Sequence, residues 1–176
     1  QTTGTVNVPI APSDDVYTDP SSISVTIGGT SGGGITVVVD PTPAVTSVTD
    51  TSDTTTLGLT ATNSVAEGGS IIYTATLSNP AGSAMAVTLS NGAVISIAAG
   101  ASSGSVSVTA PSDDVYIDAG SVSASITGSS GGNFENLAVG AVPAVTAISD
   151  TVDTVTATLT ASASVIEGSP ITYTVS

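Results

Sequence analysis

Residues 70–78 read SIIYTATLS, a stretch in which, apart from Ile72, apolar side chains alternate with Ser and Thr. Ile71, Tyr73, Ala75 and Leu77 would share one face of an extended chain, a period that is typical of a strand with one buried face. Similar runs, separated by turn signals rich in Gly, Asn and Ser, stand at 54–62, 84–90, 93–98, 104–109, 119–127 and 136–148. The sequence therefore predicts seven strands, the number typical of an antiparallel β-sandwich.

The same stretch belongs to a sequence that repeats after about 100 residues. The repeated segments are SVAEGGSIIYT at 64–74 and SVIEGSPITYT at 164–174, PAVTSVTDTSDT at 43–54 and PAVTAISDTVDT at 143–154, and APSDDVYTD at 11–19 and APSDDVYID at 110–118. A unit of this length is the usual size of an immunoglobulin-like domain. We therefore predict an all-β fold of tandem immunoglobulin-like or cadherin-like antiparallel β-sandwich repeats.

The repeat pattern also predicts the division of the chain. Residues 1–49 would form the C-terminal half of one repeat, 50–149 a complete repeat, and 150–176 the N-terminal part of the next. Because both ends fall inside a repeat, we expect the chain to be an excerpt from a longer array. Half of a sandwich cannot bury its faces alone.

The charge of the chain excludes several classes of function. The 176 residues include 14 carboxylates and no Lys, Arg, His or Cys, which gives a net charge of −14. Nucleic acids and anionic membranes are bound through cationic side chains, so neither is an expected partner. Without His, Cys or Lys, a Ser or Thr nucleophile would lack a basic partner, and we expect no enzymatic activity. No apolar run reaches the ~18 residues of a membrane span, so direct membrane insertion is not expected.

The carboxylates keep their places in the repeat, although many Ser and Thr positions do not. Twelve of the fourteen fall in equivalent places, and only Asp40 and Glu135 have no counterpart. The six pairs are Asp14 and Asp113, Asp15 and Asp114, Asp19 and Asp118, Asp50 and Asp150, Asp53 and Asp153, and Glu67 and Glu167. Charges placed only for solubility would not be expected to keep register so strictly.

Strand order predicts where these carboxylates meet. In an antiparallel sandwich alternate loops lie at the same pole, so Glu67 after the first strand, residues 113–118 after the fifth, and Asp150 and Asp153 after the seventh converge on the junction with the next repeat. Six like charges within roughly 10 Å repel strongly unless a cation lies among them. Ca²⁺ takes 6–8 oxygen ligands at about 2.3–2.6 Å, and Mg²⁺ suits an all-protein cage less well. We therefore predict Ca²⁺ as the cofactor of this junction.

The same argument predicts two further sites. An upstream junction would use Asp14, Asp15, Asp19, Asp50 and Asp53, with its Glu before residue 1. Glu167 would belong to a third junction, and Glu135 faces the upstream junction as a further candidate ligand. Simpler interpretations stay open for some of these residues. Asp14 and Asp113 follow Pro-Ser and could serve only to initiate a turn, and Asp50 and Asp150 could serve only as linker charges that aid solubility.

The two tyrosines next to the acidic pairs carry a structural prediction. Tyr17 and Tyr116 stand where sandwiches often have a tyrosine corner, in which the hydroxyl group ties the crossing between the fifth and sixth strands.

Three long stretches carry a family resemblance. SVAEGGSIIYTATLSNPAG at 64–82, VTLSNGAVISIAAGASSGSVSV at 87–108 and APSDDVYIDAGSVSASITGSSGGNFENLA at 110–138 resemble the repeats of LapA-type large adhesion proteins. These repeats are similar to the extender domains of type-I-secreted bacterial biofilm adhesins. The resemblance implies a secreted protein tethered to the outer membrane at the bacterial cell surface. It also implies calcium-dependent rigidity, with the paired acidic residues as the Ca²⁺ ligands.

Two hypotheses for function follow. In the leading one, the chain is a structural extender that is stiffened by Ca²⁺ at its junctions and supports cell attachment and biofilm formation. Its partners are the neighbouring repeats of the same chain, while other parts of the full protein bind a distal surface or polysaccharide. In the alternative, the repeat itself binds polysaccharide or self-associates into filaments.

Overall fold

The computed structural model describes residues 3–9, 14–19 and 22–176, and this part of the chain contains fourteen strands and no helix. Accordingly, no helix within those ranges is long and apolar enough to cross a membrane. The strands are β1 (Ser22–Val25), β2 (Ala44–Ser47), β3 (Thr54–Ala61), β4 (Ser64–Ala66), β5 (Ser70–Leu77), β6 (Met85–Leu89), β7 (Val94–Ile97), β8 (Ser103–Thr109), β9 (Gly120–Ala124), β10 (Ile126–Gly131), β11 (Asn136–Val139), β12 (Ala144–Ser149), β13 (Leu159–Ala161) and β14 (Tyr173–Val175).

The central strands form three sheets around one core. One sheet has the order β11-β3-β5-β8, and the others have the orders β4-β12-β9 and β10-β6-β7. The last two are linked because β9 and β10 follow each other along the chain, with only Ser125 between them. The all-β prediction is confirmed, and the arrangement is consistent with a β-sandwich.

Alternation along the strands builds the core. In β5 every second side chain is buried from Ile71 to Leu77, and β6 and β7 show the same period. The buried apolar side chains form a single cluster of Leu57, Ile71, Tyr73, Ala75, Leu77, Ala81, Met85, Val87, Leu89, Ile95, Ile97, Ala110, Ala124, Ala144 and Ile148. The buried Leu, Ile, Val and Met side chains contribute about 1.5–3 kcal/mol each by leaving water, and the five alanines contribute less.

Two threonines in the core have hydrogen-bond partners. Thr55 accepts a bond from Asn79 Nδ2 at 3.1 Å, and Thr146 Oγ1 donates to the carbonyl of Thr62 at 2.7 Å. Both bonds join segments that lie far apart in sequence, so they fix the packing of strands as well as satisfying polar atoms.

Strand pairing departs from the prediction at the first and last strands. Most pairs are antiparallel, but β11 pairs with β3, and β12 with β4, in parallel. The seventh strand of an alternating set runs in the same direction as the first, so the two are parallel where they lie side by side. The predicted strand 136–148 is split into β11 and β12, and Pro143, which has no N–H for a ladder, stands just before β12. The predicted strand 119–127 instead continues, as β9 and β10, to Gly131.

The flanking segments pair but bury little. The β1–β2 and β13–β14 pairs are antiparallel, and all of their residues are exposed. Val25 is 58% exposed, whereas β5 of the central repeat, residues 50–149, buries Ile71, Tyr73 and Leu77. The boundaries at 1–49, 50–149 and 150–176 stay a prediction.

Two adjacent isoleucines in β5 test the assignment of the core. Ile71 is 1% exposed and Ile72 is 50% exposed. We expect Ile71→Ala to lower the free energy of unfolding by about 2–5 kcal/mol, because it removes buried methyl groups and leaves a cavity. Ile72→Ala, the matched control, should cost clearly less. Chemical denaturation monitored by circular dichroism measures both, and equal losses would contradict the orientation of β5.

Candidate metal centre

Parallel pairing brings Glu67 beside the linker that follows β12, residues 150–153. Ala66 at the end of β4 is paired with Ser149 at the end of β12, so the next residues, Glu67 and Asp150, leave the ladder side by side. The N–H of Glu67 donates to the carbonyl of Ser149 at 3.1 Å. Gly68 follows with φ 65°, a conformation that suits glycine, and turns the chain into β5.

The same turn holds the loop between β8 and β9 in place. The N–H of Gly68 donates to the carbonyl of Pro111 at 2.7 Å, and the N–H of Ala110 donates to the carbonyl of Gly69 at 2.9 Å. These bonds fasten the start of the loop that carries Asp118. Three separate segments therefore meet at one pole of the central repeat.

Three carboxylates meet there and define the downstream cluster, which consists of Glu67, Asp118 and Asp150. One carboxylate oxygen from each lies within 4.8 Å of the others. Glu67 is only 9% exposed, and its Oε2 atom is buried without a hydrogen-bond partner, as is Oδ1 of Asp150. Buried acceptors in this state are costly unless a donor or a cation reaches them.

The downstream cluster perturbs the proton affinity of Glu67. A hydrogen bond shared with Asp118, burial, and the negative charges of Asp118, Asp150 and Asp114 raise the pKa of Glu67 to about 7. All these causes disfavour the charged carboxylate. Because the sequence has no Lys, Arg or His, only a proton or a cation from solution can relieve the repulsion.

Asp113 and Asp114 shape the loop next to the downstream cluster. Asp114 Oδ1 accepts a bond from the N–H of Tyr116 at 2.8 Å, and Asp113 Oδ1 accepts one from the hydroxyl of Thr151. The turn is thus made by Asp114, while Asp113 ties the loop to the linker. Asp153 is exposed and is outside the downstream cluster.

At the other pole, the carboxylates of Asp50 and Asp53, in the upstream linker that precedes β3, lie near Glu135. The N–H of Asp53 donates to Glu135 Oε2 at 2.6 Å, and Glu135 Oε1 is buried without a hydrogen-bond partner. The bond from Asp53 favours the charged form, but burial, a hydrogen bond shared with Asp50 and the charges of Asp50 and Asp53 outweigh it and raise the pKa of Glu135. We call Asp50, Asp53 and Glu135 the upstream cluster.

The remaining predicted ligands lie near the upstream cluster or apart from it. The N–H of Asp19 donates to Asp50 Oδ2 at 3.4 Å, and the hydroxyl of Thr51 donates to Asp14. Asp15 Oδ1 accepts a bond from the N–H of Tyr17 at 2.8 Å, as Asp114 does in the next repeat. Glu167 is exposed in the turn between β13 and β14 and is outside both clusters.

The donor set fits a hard divalent cation. The downstream cluster offers carboxylate oxygens alone, and two of its oxygens are buried without hydrogen-bond partners. Ca²⁺ prefers such ligands and tolerates irregular geometry, whereas zinc sites in proteins usually include His or Cys. In a calcium-bound chain Glu67, Asp118 and Asp150 would be the residues that hold the ion.

Comparison with known families gives one match. The family model described as the LapA domain matches residues 1–51 and 53–151. Neither the curated proteins nor the solved structures include a match to the chain.

The raised pKa of Glu67 predicts a pH dependence of stability in chelator. The folded pKa of about 7 lies above the ordinary value of 4.5, so the folded protein holds a proton that the unfolded chain releases between these values. The stabilisation is full below pH 4.5 and is lost as the pH rises through about 7. We expect the melting temperature in excess chelator to fall between pH 5 and pH 8.

Glu67→Gln is the matched control for this experiment, because the amide does not titrate. The variant should show a smaller fall between the same two pH values and should melt above the unsubstituted protein at pH 8 in chelator. An equal fall in both proteins, measured by differential scanning calorimetry, would show that Glu67 is not responsible.

Proposed function

Because the chain belongs to the LapA domain family, we propose that it is part of the extender region of a large bacterial cell-surface adhesin. Its repeats are immunoglobulin-like sandwiches arranged in series. Strands of about eight residues at ~3.3 Å per residue make each repeat, with its loops, roughly 40 Å long. A series of such repeats holds an adhesive module away from the cell and so supports attachment and biofilm formation.

Calcium at the junctions gives this spacer its stiffness. The observation that carries the proposal is the downstream cluster, where Glu67, nine-tenths buried, lies beside Asp118 and Asp150 in a chain without cationic side chains. Glu67 and Asp118 belong to loops of the sandwich, whereas Asp150 belongs to the linker. An ion held by all three fixes the direction in which the chain leaves the repeat.

The upstream cluster supports the same role from the opposite side of a junction. Glu135 belongs to the central repeat and meets Asp50 and Asp53 of the linker that precedes it. Linker carboxylates therefore have acidic neighbours in both adjoining repeats. Asp150 lies beside Glu67 of the repeat before it, and Asp50 lies beside Glu135 of the repeat after it. Cations bound at both places join consecutive repeats into one rigid unit.

The proposed role is structural and extracellular. The chain acts on no substrate, its partners are the neighbouring repeats, and a distal surface or polysaccharide is bound by other parts of the adhesin. Extracellular calcium, at about millimolar concentration, suits sites of the 10⁻⁴–10⁻³ M class found in extracellular modules. Folding and stiffness would then follow secretion, because the ion stabilises only the folded chain.

Calcium removal tests the proposal. At a calcium concentration of about 100 times the dissociation constant, binding adds about 2.7 kcal/mol, which corresponds to a rise in melting temperature on the order of 10 °C. We expect this rise on adding Ca²⁺ to chelated protein, with a smaller rise for Mg²⁺. Amide hydrogen exchange in the linker at 150–153 should slow at the same time.

Matched variants separate specific binding from general charge screening. Asp118→Asn and Asp150→Asn should lose most of the calcium-induced rise, although each removes repulsion and so raises the melting temperature in chelator. Asp40→Asn removes the same charge from a carboxylate outside both clusters and should keep the full rise. An equal calcium response in all three variants would overturn the proposed site.

A further inference from the structure

A short segment of the preceding repeat is bound to the far pole of the central repeat. The N–H of Thr18 donates to the carbonyl of Asn133 at 3.2 Å, and the N–H of Glu135 donates to the carbonyl of Val16 at 3.1 Å. These two bonds flank an antiparallel bridge, so residues 14–19 are attached to the loop between β10 and β11 as a minimal strand.

The side chain of Tyr17 lies at the centre of this contact. Its ring stacks on Phe134 with 5.9 Å between the centroids and 23° between the planes. Its hydroxyl donates to the carbonyl of Pro80 at 2.7 Å, so the apolar ring and the polar tip both have partners in the central repeat. The predicted tyrosine corner is therefore wrong for Tyr17, because its hydroxyl group bonds outside its own repeat.

Gly82 makes room for the ring. A Cβ atom at this position would lie 2.8 Å and 2.9 Å from two ring carbons of Tyr17 and 3.2 Å from the carbonyl of Gly132. The chain has only four Tyr and one Phe, and two of these five aromatic side chains meet here. The contact lies beside the carboxylates of Asp53 and Glu135. The three hydrogen bonds that join residues 16–18 to the central repeat all end on backbone carbonyls, so none of these three uses a carboxylate.

The equivalent segment at the other end of the central repeat, residues 113–118, has the same local turn, but its Tyr side chain is not packed against another part of the described chain. Tyr116 makes the same turn as Tyr17, since both N–H groups donate at 2.8 Å to the Asp two residues earlier. Yet Val115, Tyr116 and Ile117 are 53%, 72% and 93% exposed. The tyrosine corner is therefore wrong for Tyr116 as well, and its ring is presented at the pole that faces the next repeat.

We propose that the Asp-Asp-Val-Tyr segment of each repeat is a plug that docks onto the following repeat without a metal ion. The receptor is the face formed by Pro80, Gly82 and Phe134, and Tyr116 is the equivalent plug for the same face of a further repeat. The plug rests on the proposed series of repeats but not on calcium. It aligns neighbouring repeats even when their carboxylates repel one another.

Cleavage by chymotrypsin after tyrosine tests the plug in the full 176-residue chain in excess chelator. We expect cleavage after Tyr116 to be about tenfold or more faster than cleavage after Tyr17, because a docked segment must first open. Mass spectrometry distinguishes the products. Equal rates at the two sites would overturn the proposal.

Gly82→Ala tests the receptor face. It should speed cleavage after Tyr17 about tenfold and leave cleavage after Tyr116 unchanged, because the new methyl group occupies the place of the ring. Gly128→Ala is the control, since a Cβ there meets nothing within 4 Å. Circular dichroism of both variants must match the unsubstituted chain. An unchanged rate after Tyr17 in a folded Gly82→Ala protein would overturn the assignment of the face.

A peptide of residues 110–120 tests whether the Tyr116 segment fits the same face. Added to Tyr17→Ala protein, it should shift the aromatic NMR signals of Phe134 with a dissociation constant in the millimolar range, whereas a peptide with Tyr116→Ala should not. No shift from the tyrosine peptide would overturn the equivalence of the two segments. Because these measurements are made without calcium, protection of Tyr17 would persist even if the proposed calcium site failed.

Discussion

Negative charge without any positive side chain is the constraint on which this structure depends. Fourteen carboxylates share the chain with no Lys, Arg or His, so no ion pair within the protein can offset their repulsion. An acidic protein can spread such charge over its surface and let salt screen it. Here the strand pairing concentrates the charge at two places. The ladder between β4 and β12 brings Glu67 next to Asp150, and the ladder between β3 and β11 brings Asp53 next to Glu135. The resulting repulsion is the physical basis of the proposal that a divalent cation binds at the poles of the repeat.

The composition of the core explains why the orientation of one repeat relative to the next would depend on the poles. Among its fully buried residues the core contains one aromatic side chain, Tyr73, and two threonines, and the other apolar members are aliphatic residues and Met. Such a core is sufficient for one sandwich, but it contributes nothing to the angle between two of them. In the proposed series of repeats, that angle depends on the two poles, where backbone hydrogen bonds, the stacked ring of Tyr17 and the carboxylates of the two clusters lie. In this arrangement, a small number of contacts determines how two neighbouring repeats are oriented.

Much of the central repeat could be predicted from local pattern, but only part of its junctions could. Period-two alternation predicts the buried face of β5, because burial of one face directly selects the residue types. The alternation of strand direction predicts that Glu67 and residues 113–118 approach the linker. Glu135 is only a further candidate from sequence, because it has no repeat counterpart and lies 82 residues from its hydrogen-bond partner Asp53. Local pattern cannot predict the role of Tyr17, because its partner Phe134 lies 117 residues away in sequence.

The parallel pairing of the first and last strands has a mechanical consequence. In the proposed series of repeats, a pull enters the central repeat at the start of β3 and leaves at the end of β12, at opposite poles. Because β11 lies parallel to β3, and β12 to β4, this force runs along the ladders and not across them. The hydrogen bonds of these two ladders therefore share the load in shear. A tether under flow would resist extension in this geometry far better than a hairpin pulled from its two adjacent ends.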